Sequence, residues 1–214
     1  MHLAIGTREY RGISRIGRFA LVGLLWMVAA NGASAQTNLM RIEEDWELEL
    51  REPDTRLDAP QILIVLNPLG ETSSDHFEVD LNHASIPNYS SGGLQIRAMS
   101  DGKCSDQQRL LDGQRLNTDA DVIRWTQIVE RQAAGFAFGI IAGSAASWGQ
   151  FGDASTFVSL KTGNPSFNYS ASQSVEHSGI TYAGNRVERL TLCRVRLVDS
   201  SGASTELKVN RNVQ

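Results

Sequence analysis

The residues best placed to do chemistry lie in the stretch EEDWELELREP, Glu43 to Pro53, where Asp45, Glu47 and Glu49 occur at every second position. On an extended strand such residues share one face, with i and i+2 side chains about 7 Å apart. Paired carboxylates on one face are the equipment of glycoside hydrolysis, and a retaining enzyme holds its two acids about 5 to 5.5 Å apart. The same letters also describe an amphipathic edge strand: Trp46, Leu48 and Leu50 would dock on a core while the acids keep the other face wet. In NTDAD, Asn117, Asp119 and Asp121 alternate oxygen ligands as calcium loops do, although Ile128 stands where an EF-hand carries its bidentate Glu. A polar turn is the alternative there, so the cofactor expectation is none, or Ca2+. In GSAASWGQFGD, Trp148 and Phe151 sit among small residues of an expected loop, where an aromatic ring could stack on a sugar or fold back over the core; Tyr89, Tyr169 and Tyr182 are open to the same two readings.

Other reactive patterns are missing. There is no nucleophile elbow, no HExxH and no phosphate-binding glycine loop. His76, His83 and His177 are scattered, without zinc-ligand spacing relative to Cys104 and Cys193.

The elements that must carry these residues read as strands. QILIVL is a continuous apolar strand, and period-two alternation recurs along the chain, through strands at HFEVDLN, GLQIRAM, DVIRWTQIVER, GFAFGIIAG, TFVSL, GITY, RVERLTLCRVRLV and TELKV, with turn residues between them. SDQQRLLDGQRL fits a hairpin turning at Asp112-Gly113 or a short capped helix, and the β surroundings favour the hairpin. In GFAFGIIAG, Phe136, Phe138 and Ile140 share a face opposite Ala137 and Gly139, a sign of close backbone or ligand approach. In the last long strand the apolar phase moves by one between Leu192 and Cys193, the signature of a β-bulge. The expectation is an all-β antiparallel β-sandwich, jelly-roll or concanavalin-like, of about ten to twelve strands.

Residues 1–35 read as a signal peptide: Arg8, Arg11, Arg15 and Arg18 precede the apolar run FALVGLLWMVAA, and Ala33 to Ala35 supply small residues for cleavage before Gln36. Residues 36–214 are then a single domain, secreted or periplasmic, with no membrane insertion after signal removal. Removing the leader takes four of the 20 basic and one of the 24 acidic side chains, leaving sixteen against twenty-three, a net of −7. That balance argues against nucleic acid as a partner. In an oxidising compartment a Cys104–Cys193 disulfide would stabilise by about 4 to 5 kcal/mol through its long loop. Two separate buried thiols are the alternative.

Two resemblances bear on function. The alternating acids resemble those of laminarinase-type jelly-roll glucanases, but the stretch begins with Asp45 where that family has a nucleophilic Glu, and it lies within ten residues of the expected cleavage site instead of mid-chain. EEDWEL, SSGGLQI, SWGQFG and SGITYAGNRVERLTL together resemble a group of short secreted β-sandwich proteins of planctomycete-like bacteria. That likeness implies a sandwich and export, and brings no catalytic residue with it. The expected function is an exported non-catalytic binding module for carbohydrate or a cell-surface partner, with a laminarinase-type retaining hydrolase or a structural assembly subunit as alternatives.

Overall fold

The structure, a computed structural model, describes residues 38–51, 61–81, 93–112, 116, 120–163 and 165–213. These belong to one compact unit, Asn31–Gln214. Among the described residues twelve strands form two antiparallel sheets, so the expected all-β sandwich is the fold. β1 (Leu39–Leu50), β6 (Val122–Gln132), β7 (Gly135–Ala145), β8 (Gly149–Phe151), β9 (Val158–Lys161), β11 (Val187–Asp199) and β12 (Ser204–Asn212) build the larger sheet in the order β12-β11-β1-β6-β7-β8, with β9 also on β7. β2 (Gln61–Leu66), β3 (His76–Leu81), β4 (Gly93–Ser100), β5 (Lys103–Asp112) and β10 (Gly179–Tyr182) build the smaller one, ordered β10-β2-β3-β4-β5.

Period-two alternation explains why the sheets close on each other. Phe77, Val79 and Leu81 from β3 meet Phe136, Phe138 and Ile140 from β7 between the layers, all at 1 % exposure or less. Phe77 and Phe138 stack with ring centroids 4.9 Å apart. Each such side chain contributes about 1.5–3 kcal/mol of burial. The small residues opposite the Phe136 face have the expected cause: a Cβ on Gly139 would stand 2.6 Å from the Thr156 carbonyl oxygen, so only glycine admits that backbone.

Several expectations are refined. SDQQRLLD is strand β5, not helix, while the turn at Gly113 lies outside the described residues. The bulge falls where the phase change put it: Asp45 pairs with Arg194 and Trp46 with Leu192, leaving Cys193 as the extra residue. A short helix, α1 (Ala171–His177), interrupts the strand pattern and buries Ser174. β1 is not an edge strand; it runs through the middle of its sheet between β11 and β6. Its outward acids Asp45, Glu47 and Glu49 therefore have a neighbouring strand on each side and are half-buried.

The disulfide expectation is corrected. Cys104 is exposed on β5 of the smaller sheet, and Cys193 lies on β11 of the larger one; both are free thiols. The bulge turns Cys193 toward the outer face of its sheet, away from the sheet that carries Cys104. Among the described residues no helix is long and apolar enough to cross a membrane.

Candidate functional site

Because β1 is central, its two faces meet two different chemistries. On the outer face, opposite charges pair across three strands. Asp45 accepts hydrogen bonds from Thr126 Oγ1 on β6 at 2.8 Å and from Arg194 Nε on β11 at 2.6 Å. Glu47 accepts from Arg124 Nε at 2.7 Å and Arg189 Nη2 at 3.3 Å. Arg189 also binds Glu49, and Glu43 is held by both Arg41 and Arg196. Hydrogen bonding to Glu49 and Asp45 holds Arg189 and Arg194, respectively, still more firmly protonated than a free guanidinium.

A groove of about 440 Å³ opens on this face. Asp45, Glu47, Arg124, Thr126, Ser144 and Gln150 supply its polar lining, and Cys193 lies beside the two acids. Burial pushes the Cys193 thiol above its ordinary range, and the Glu47 and Asp45 carboxylates add to the effect. Two of the three acids singled out from sequence, Asp45 and Glu47, thus line a real concavity. Every acid of the row is engaged by at least one arginine.

The inner face of β1 holds what the sequence reading missed. Glu44 is in phase with Trp46 and Leu48, so it points between the sheets and is fully buried. Its Oε2 accepts from Trp46 Nε1 at 2.9 Å and Gln127 Nε2 at 2.8 Å, and its Oε1 accepts from Tyr169 Oη at 2.7 Å. The Ser174 hydroxyl, brought by α1, sits beside the carboxylate without full hydrogen-bond geometry. Gln127 is anchored in turn by Trp125 Nε1 at 3.0 Å, and the indoles of Trp46 and Trp125 lie parallel with centroids 6.1 Å apart. Burial raises the Glu44 pKa against the opposing pull of these donors, and it lifts the Tyr169 phenol well above its usual range, helped by the adjacent carboxylate. The available signal was a single acid in the apolar phase of the strand.

The remaining sequence candidates do not converge on the groove as ligands. Trp148 and Phe151 are 7 % exposed and pack edge to face, centroids 5.6 Å apart, as part of the core. Tyr182, 44 % exposed, stands on β10 of the other sheet. Asp121 is buried, and its two oxygens each accept a backbone N–H, from Ala146 and Ser147, at 2.8 Å. Its carboxylate therefore fastens the turn before β8. Tyr89, Asn117 and Asp119 lie outside the described residues. Among the described residues no group of three or more His, Cys, Asp or Glu side chains is arranged to hold a metal ion.

No protein-family model matches the chain, and no curated protein or solved structure shows significant similarity to it.

Proposed function

We propose that this chain is an exported, non-catalytic binding module whose groove on the outer face of the larger sheet takes a hydroxyl-rich ligand of the carbohydrate class. The observation that carries this reading is the convergence of Asp45, Glu47, Arg124, Thr126, Ser144 and Gln150 on one concavity. Carboxylate, guanidinium, hydroxyl and carboxamide groups together offer donors and acceptors in the mix that vicinal hydroxyls require. The strands hold these groups in place, so little ordering cost accompanies binding.

Binding is favoured over hydrolysis by how the acids are used. A retaining hydrolase needs one carboxyl to hand its proton to the leaving oxygen and a second to attack. Here Asp45, Glu47 and Glu49 each give at least one oxygen to an arginine donor. Such pairs suit a fixed recognition surface better than a proton donor.

A glycan array followed by calorimetry on the best binder tests the proposal. Arg124→Ala and Gln150→Ala should each weaken binding about tenfold, since a hydrogen bond involving a charged group contributes about 1.5–3 kcal/mol and a neutral one about 1. Trp148→Phe, a change inside the core, should leave affinity unaltered. Absence of binding to any glycan, or binding indifferent to both groove substitutions, sinks the reading. New reducing ends from a β-glucan, lost on Glu47→Gln, would replace it with the hydrolase.

A further inference from the structure

The strand β12 closes one side of the larger sheet and, among the described residues, has a hydrogen-bonded neighbour, β11, on one edge only. Eight of its nine residues are exposed, and the half-buried one, Val209, packs against the edge of the core. A strand in this position presents a row of backbone donors and acceptors to any segment able to pair with it. Leu207, on this strand, is 45 % exposed; with Tyr182 it is one of the exposed large apolar side chains among the described residues.

Register and charge together say what kind of strand fits. Val195, opposite Leu207, is fully buried, so Thr205, Leu207 and Val209 lie on the core side of the sheet and Glu206 and Lys208 on the outer side. Lys208 has Arg194 as its register partner, a like charge, while Glu206 faces Arg196 and accepts from Arg194 at 3.3 Å. The acidic register partner that Lys208 lacks among the described residues is present on a second copy of the same strand. An antiparallel pairing about a twofold axis at Leu207 sets Glu206 of each copy opposite Lys208 of the other. It sets Leu207 against Leu207 on the core side and Thr205 against Val209.

The paired segment, 205–209, ends where regular strand ends. Asn210 has φ +45°, and the register of β12 on β11 shifts between Lys208 and Arg211, a bulge that stops further pairing. Shifting the axis by one residue, to Glu206 or Lys208, would instead put like charges face to face.

We propose that β12 is a homodimerisation edge, joining two chains into one continuous sheet about Leu207. The contact is small, of the transient class below about 1,200 Å², so the dimer forms in a concentration-dependent way. Closed twofold symmetry stops assembly at two.

Sedimentation velocity of the full purified chain over a concentration series tests this. The wild type should pass from monomer to dimer. Glu206→Lys or Lys208→Glu alone should weaken the dimer at least about tenfold, since each places like charges opposite each other twice. The double variant E206K/K208E should dimerise again, and an equimolar mixture of the two single variants should form a mixed dimer. The mixture guards against a folding defect, because misfolded chains would not rescue each other. Strictly monomeric wild type overturns the proposal, as expected if another segment of the chain or a foreign strand covers the edge. So do assemblies growing beyond two, or a dimer indifferent to the charge changes.

Discussion

The Tyr169 hydroxyl donates to Glu44 at 2.7 Å inside the sandwich, joining the loop before α1 to the middle of the central strand. Glu44 is the common acceptor of that hydroxyl, an indole and a carboxamide. Its removal therefore orphans three donors at once, whereas loss of any one donor leaves the others in place.

Glu44→Leu should cost roughly 3 kcal/mol or more, because each buried group left without a partner costs about 1–3 kcal/mol. Glu44→Gln separates charge from shape. Burial raises the folded-state pKa above the ordinary 4.5, so the native state holds the proton more tightly than the unfolded chain. The stability this contributes is full below pH 4.5 and is lost as pH rises through the folded value. Glutamine does not ionise. Urea unfolding should show the Gln variant gaining on wild type as pH is raised; a difference that stays constant or shrinks would contradict the assignment.

His76 should titrate above 6.5. Its Nε2 meets Glu78 Oε1 at 3.0 Å and its Nδ1 meets the Ser74 carbonyl at 2.9 Å, an arrangement satisfied when both ring nitrogens carry protons. The hydrogen bond to Glu78 raises the pKa and outweighs the opposing desolvation. This imidazolium stabilises the fold below the unfolded-state value, and its contribution disappears as pH rises through the raised one. An NMR titration of the His76 ring should show the elevated midpoint, and Glu78→Gln should lower it. A midpoint that does not respond to Glu78→Gln would remove the pairing.

The two thiols should differ in reactivity. Cys104 is exposed, while Cys193 is partly buried beside Asp45 and Glu47 with its pKa raised, and thiolate is the reactive form. A disulfide-exchange reagent should titrate both in the native protein, one fast and one slow. Cys193→Ser should abolish the slow phase. Absence of titratable thiol would show that the chain bridges them after all.

Phe151 and Gly143 should behave as a coupled pair. A Cβ on Gly143 would stand 2.2 Å from the Phe151 ring, which lies directly over that glycine. Gly143→Ala alone should destabilise by about 1–3 kcal/mol through overpacking. In a Phe151→Ala background the same change should cost almost nothing, because the ring it strikes is gone. Additive losses in thermal or urea unfolding would argue against this packing.

Much of the sandwich is written in the strands themselves. QILIVL is β2 to the residue, HFEVDL and GLQIRAM open β3 and β4, and the phase change at Leu192 and Cys193 marks a true bulge. These features are local: alternation fixes which side chains can face a core, and a one-residue slip reverses every face. The clustering of Asp45, Glu47 and Glu49 on one face is equally a property of one short stretch.

What only the tertiary structure decided is who stands next to whom. β1 became a central strand because β6 and β11, some eighty and one hundred and fifty residues along the chain, flank it, as the pairs Asp45–Thr126 and Asp45–Arg194 record. Strand order is set by long-range pairing, which alternation does not encode. Arginines from those distant strands turned an acidic row into a charge ladder, and the two sheets kept Cys104 and Cys193 apart. Glu44 sits in phase with Trp46 and Leu48, and the sequence reading did not single it out; an acid in a core is costly alone. Trp46, Gln127 and Tyr169, gathered from three separate segments, are what make it affordable.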